Sequence, residues 1–143
     1  RKNNKGRTSK KRITVTDENV LKNQEAIEFL NEKSNYKMDE VDFRLRNNFY
    51  RITLVNKEKS ERLTIDFDIN FKNCVTGIEN NIPHLCIVEV KQDGNAFSHF
   101  KKYLAKLRIK KRSVSKYCLG MVLTDPSLKQ NRFKEKVNYI NKL

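Results

Sequence analysis

The sequence predicts an α+β fold: a curved antiparallel sheet whose strands each carry one apolar and one charged face, with helices on the apolar outer side. Three observations carry that prediction. Apolar and polar residues alternate along 49–55 and 61–71, the period of a strand with two unlike faces. A further β-branched run, Leu85 to Val90, is ended by the turn pair Asp93-Gly94. Beyond it, Phe97, Phe100, Leu104 and Leu107 recur at helical spacing.

The elements follow in order. A turn centred on Asn4 and Gly6 leads into alternation, with Ile13 and Val15 on one face and Lys10, Arg12, Thr14 and Thr16 on the other. Thr16 or Asp17 then caps a helix to about Glu32, with Val20, Ile27 and Leu30 among its apolar positions. Residues 34–46 fit either a short helix or an irregular link. In "NFYRITLV", Tyr50, Ile52 and Leu54 oppose Arg51 and Thr53, and "NKEKS" forms a polar hairpin turn. The next strand, "ERLTIDFDINF", places Leu63, Ile65, Phe67, Ile69 and Phe71 on one side. Arg62, Thr64, Asp66, Asp68 and Asn70 take the other. In "HLCIVEVKQDG", Leu85, Ile87, Glu89 and Lys91 share a face, opposite Cys86, Val88 and Val90. "SVSKYCLGMVL" has the length of a short helix, and Asp125-Pro126 starts a final amphipathic helix with Phe133, Val137 and Ile140 on one side.

Composition bounds the function. At 143 residues there is room for one domain and one core, and eight Phe with five Tyr argue against disorder despite 37% hydrophobic content. The net charge of +14 predicts a polyanionic partner. It is concentrated: residues 1–12 hold seven Lys/Arg and residues 101–116 hold eight, with no acid in either stretch. Cys74, Cys86 and Cys118 form neither a zinc pair nor a disulfide framework, which favours a reducing, cytoplasmic setting. There is no apolar run of transmembrane length and no signal peptide. The chain opens on Arg1-Lys2 without an initiator Met and reads as a fragment with its amino-terminal portion missing.

The charged strand faces are the candidate site. They hold Lys10 and Arg12, then Arg51, then Arg62 with Asp66, then Glu89 with Lys91. One wet and one packed side is ordinary for an antiparallel sheet. Recurrence of a cation in all four strands favours a basic channel, formed if the sheet curls, with a carboxylate able to hold a metal. A rival reading takes Asp66 and Glu89-Val90-Lys91 as the D…ExK signature of a metal-dependent nuclease. That signature is short, and it leaves Arg51, Arg62 and the Lys10/Arg12 face unexplained. His84 and His99 form no ligand cluster, and four Gly supply no phosphate loop.

Taken in order, "YRITL", "ERLTIDFDINF", "IVEVK" and "SVSKYCLG" resemble the VTC-type polyphosphate polymerase domain, and "NNKGRTSKKRI" is similar to a strand pair in its middle. That family belongs to the triphosphate tunnel metalloenzymes of the CYTH-like superfamily. The resemblance implies that residues 1–143 are the C-terminal portion of a single tunnel domain, its curved antiparallel sheet forming part of a β-barrel tunnel with helices outside. By position, the family's tunnel cations fall on Lys10, Arg12, Arg51, Arg62 and Lys116, which implies catalytic and phosphate-binding roles for them. Lys91 shares their face as a further phosphate contact or as a partner of Glu89, and Glu89 matches the family's ligand for Mn²⁺ or Mg²⁺. Asp66 either balances a neighbouring Arg or orients metal-bound water. One departure stands out: fungal members carry a second Lys where this chain has Ser113, with Arg112 beside it. The implied partners are ATP and polyphosphate, with nucleic acid less favoured. The implied chemistry is transfer of the ATP γ-phosphoryl group to polyphosphate, with triphosphate hydrolysis as the neighbouring activity.

Overall fold

In the computed structural model, residues 2–4, 7–15, 20–92, 94 and 97–143 are described, and the chain divides into two units, Arg1–Asp42 and Phe43–Leu143. The first unit opens with a hairpin of β1 (Lys2–Asn4) and β2 (Arg7–Ser9), registered Lys2↔Ser9 to Asn4↔Arg7. The ladder ends at Lys2↔Ser9, and residues 10–15 beyond it carry no strand structure, which corrects the alternating strand expected there. The proposed caps Thr16 and Asp17 lie outside the described residues. A 3-10 turn over Val20–Lys22 precedes α1 (Gln24–Lys33), which is shorter than the helix expected. Asn23 supplies the cap: its side-chain oxygen accepts from the Ala26 N–H at 3.0 Å. A second 3-10 turn spans Met38–Glu40, inside the stretch the sequence left ambiguous.

The second unit is built on an antiparallel sheet. β3 (Leu45–Val55) and β4 (Glu61–Asn73) are joined by the expected polar turn, where Asn56 accepts from the Glu61 N–H at 2.8 Å. The other edge of β4 is shared end to end by β5 (Glu79–Ile82) along its second half and β6 (Ile87–Gln92) along its first. Every pairing is antiparallel, so the α+β class holds. β5 takes the place of the expected amino-terminal strand, and the sheet stays open among the described residues rather than closing into a barrel.

One irregularity decides what lies on each side. The pairs Asn48↔Asn70 and Tyr50↔Phe67 leave β4 one residue longer than β3 between them, a β-bulge. Asp68 lies within it at φ 50°, a left-handed conformation that Asp tolerates better than most residues with a Cβ. The extra residue reverses the alternation downstream. Leu63, Ile65 and Phe67 therefore share a face with Tyr50, Ile52 and Leu54. Ile69 and Phe71 move to the face of Arg51, Thr64 and Asp66. This corrects the expectation that all five apolar residues of β4 look the same way.

The helices respond to that reversal. α2 (His99–Lys106), α3 (Lys116–Thr124) and α4 (Lys134–Ile140) follow the sheet. Leu119 of α3 and Ile140 of α4 join Ile69, Phe71, Ile82 and Leu85 in the core, with Leu45, Phe49, Ile87, Leu123 and Val137 packed around it. The core thus lies on the expected polar side, beyond the bulge, and not on the uniformly apolar side. On the latter, Leu63 is buried near the Glu61–Ser98 contact ahead of α2, but Tyr50, Ile52, Leu54, Phe67 and Val88 are exposed. The last helix also starts later than expected. Asp125 is consumed as the C-cap of α3, and its side chain accepts from the Ser127 N–H at 3.1 Å in a turn.

Candidate functional site

Cross-strand neighbours project from the same face, so the register sorts the polar half of the buried side into rows. One row reads Arg51, Asp66 and Ile87 across β3, β4 and β6. The next holds Thr53, Thr64 and Glu89, and the third holds Val55, Arg62 and Lys91. Successive rows lie about 7 Å apart, two residues of strand rise. Beyond the Arg51 row the same face becomes the apolar core.

The first row is tightly bonded. Arg51 Nε donates to Asp66 Oδ1 at 2.6 Å and Nη2 donates to Oδ2 at 2.7 Å, a two-point guanidinium–carboxylate pair. Lys116 Nζ, from the first residue of α3, also donates to Asp66 Oδ2. Asp66 is 2% exposed, so this carboxylate needs both cations to be tolerated. Hydrogen bonding from Arg51 holds its pKa below the usual carboxylate range against the upward push of desolvation, and Lys116 adds to the lowering. The Arg51 pKa is raised in turn, chiefly by its hydrogen bond to Asp66. Phe49 floors the arrangement, its ring centroid 4.3 Å from Lys116 Nζ and 5.2 Å from the Arg51 guanidinium.

Local sequence explains how α3 delivers its lysine. The Ser115 hydroxyl accepts from the Cys118 N–H at 3.3 Å, so the helix starts at Lys116. One turn later Gly120 meets the sheet: a methyl placed there would sit 2.5 Å from both Leu45 Cδ2 and Phe71 Cδ1. Residues four apart share a helix face, so the absence of a side chain at Gly120 lets Lys116 come down onto Asp66.

The outer rows are more open. Glu89 pairs with Lys91 at 3.4 Å, with both side chains more than half exposed. Arg62 lies beside Lys91 across the ladder and is exposed. Among the described residues, no three His, Cys, Asp or Glu side chains gather as a metal-binding cluster. Arg51, Arg62, Glu89, Lys91 and Lys116 are thus brought onto one side of one sheet. Lys10 and Arg12 belong to the first unit, where both are exposed on chain without strand structure. Sequence reasoning missed Phe49 as the aromatic floor. Its parity with Arg51 was the available signal.

The sequence matches the VTC domain family over residues 1–124, nearly the whole chain. The chain belongs to the VTC domain family. No curated protein and no solved structure gives a match. Membership ties the chain to polyphosphate-related function. The matched residues of this VTC domain end with α3, so they include every residue of the three rows and Lys116. Among the described residues, no helix is long and apolar enough to cross a membrane.

Proposed function

We propose that the cationic half-face of the sheet binds the phosphate chain of a triphosphate or polyphosphate, and that the domain transfers the ATP γ-phosphoryl group to a polyphosphate end. The observation that carries this reading is the convergence of Arg51 and Lys116 on one buried carboxylate, with Arg62 and Lys91 two rows away on the same face. Four cations along about 13 Å of strand suit a narrow chain with about one negative charge per phosphoryl unit. Asp66 is the positioning residue: it fixes two cations while removing one unit of charge between them.

In the transfer, a terminal polyphosphate oxygen attacks the γ-phosphorus as the bond to the β,γ-bridging oxygen breaks. The bridging electrons leave on ADP. Arg51 and Lys116 stabilise charge on the equatorial oxygens, and Arg62 and Lys91 hold the chain in line. Glu89 is a hard oxygen donor whose one described ion-pair partner, Lys91, is 3.4 Å away. A single carboxylate suits Mg²⁺ or Mn²⁺, ions that take their remaining ligands from phosphate and water. Such an ion, when bound, neutralises charge on the phosphate oxygens. The D…ExK alternative fares worse on this geometry, because Asp66 is already engaged by two cations.

Two classes of substitution test the reading. Arg51→Ala, Arg62→Ala or Lys116→Ala should each weaken tripolyphosphate binding by about 1.5–3 kcal/mol, the value of a charge-assisted contact. Glu89→Gln should leave metal-free binding intact or stronger, and should abolish the further tightening produced by Mg²⁺ or Mn²⁺. Calorimetry with and without the ion separates the two. Equal loss in both classes contradicts the assignment of Glu89 to metal.

A further inference from the structure

The three rows cannot account for the charge of this chain. Arg51 and Lys116 are offset by Asp66, and Arg62 and Lys91 by Glu89, leaving a surplus of two. A polyphosphate longer than a few units carries more charge than that. The surplus that matches it lies in the segment leading from α2 into the site, where Lys106, Arg108, Lys110, Lys111 and Arg112 occur without an acid. Every residue from 105 to 115 is exposed.

This segment is held at both ends. Arg112 stacks over Tyr139 of α4 at 3.9 Å from the ring centroid and pairs with Glu135 at 3.8 Å. From there roughly 14 Å of extended chain at most leads to Lys116. At the other end α2 closes with a Schellman motif. The Ile109 N–H donates to the Leu104 carbonyl at 2.9 Å and the Arg108 N–H to the Ala105 carbonyl at 2.9 Å. The residue after the C-cap of such a motif is usually Gly, because it takes positive φ. Here it is Arg108, at φ 57°. A strained cation where glycine is easier, inside an exposed acid-free run, points to a role outside the fold itself.

We propose that residues 106–112 form an outer track that binds the part of a polyphosphate chain extending beyond the Arg51–Lys116 site. The inference rests on the reading of that site as phosphate-binding and adds a chain-length preference to it. Tripolyphosphate fills the rows alone, and longer chains gain contacts along the track.

The test measures affinity for tripolyphosphate and for polyphosphate of about sixty units at fixed ionic strength. It compares the natural chain with the variant Lys106→Ala/Arg108→Gly/Lys110→Ala/Lys111→Ala. Arg112 is kept because it anchors the segment, and Gly at 108 suits the cap. The variant should bind tripolyphosphate as the natural chain does, yet lose tenfold or more for the long chain. Its slope of log affinity against log salt should fall by about 3, at roughly 0.7 per lost contact on a flexible polyanion. Unchanged long-chain affinity overturns the track, as does equal loss for both lengths. An oligo-dT competitor that relies on the four cations more than polyphosphate does overturns the choice of ligand. Tripolyphosphate binding that Lys116→Ala leaves untouched overturns the site reading instead.

Discussion

Asp66 is where the chemistry of the face is decided. A carboxylate that is 2% exposed persists as an anion because Arg51 and Lys116 both donate to it. Asp66→Asn keeps the shape and removes the charge, leaving two cations with a neutral acceptor. The expected loss of stability is about 1–3 kcal/mol near neutral pH, nearer the lower end because Arg51 is partly open to solvent. The pH dependence has a definite sign. The folded pKa of Asp66 is depressed, so the unfolded chain binds the proton more tightly. The stabilisation is complete above the unfolded carboxyl pKa of about 3.9 and disappears as pH falls through the lower folded value. Urea midpoints of the natural chain and Asp66→Asn should therefore differ at pH 7 and converge in acid. A gap independent of pH would mean that Asp66 acts through packing.

At the scale of elements, α3 and the bulge in β4 place the site. Gly120→Ala gains helix propensity of about 1 kcal/mol but forces a methyl against the buried ring of Phe71. Overpacking of this kind costs about 1–3 kcal/mol, so a net loss of stability is expected, together with weaker tripolyphosphate binding as Lys116 is lifted from Asp66. Thermal unfolding and calorimetry on one variant read both effects. An Ala variant as stable as the natural chain would contradict the close approach. Asp68→Val should cost about 1–2 kcal/mol, because a β-branched residue is poorly suited to left-handed φ, whereas Asp68→Gly should be close to neutral. Equal destabilisation by both would show that the side-chain contacts of Asp68, not its backbone, hold the bulge.

The bulge also marks where the sequence stops being legible. Alternation in "ERLTIDFDINF" identifies the strand and correctly sets Arg62, Thr64 and Asp66 apart from Leu63, Ile65 and Phe67. Period-two reasoning carries no sign that one residue is looped out near Asp68, so it puts Ile69 and Phe71 on the wrong side. The positions of α3 and α4 followed that error. Arg51, Arg62, Glu89 and Lys91 were readable because each lies upstream of the bulge or on a neighbouring strand in plain register. Lys116 was reached through family resemblance alone. A helix-start lysine gives no periodic signal, and its approach depends on Gly120, whose meaning is visible only against Phe71. Over residues 10–15 the expected strand is absent because alternation in sequence does not by itself supply a pairing partner.

For the whole molecule, charge is the organising quantity. The chain carries +14, yet the rows proposed to bind phosphate retain a surplus of only two, so generic attraction for polyanions and specific recognition of a phosphate chain are separable. Salt weakens both, which makes ionic strength the variable to hold fixed. The most direct test of the account is a competition at one ionic strength, in which tripolyphosphate and a short DNA duplex displace a bound fluorescent polyphosphate, each at equal total charge. Tripolyphosphate should displace the probe at a concentration at least tenfold lower than the duplex, and Arg51→Ala with Lys116→Ala should erase the difference. Duplex DNA competing as well as tripolyphosphate, with the double variant unchanged, would contradict it.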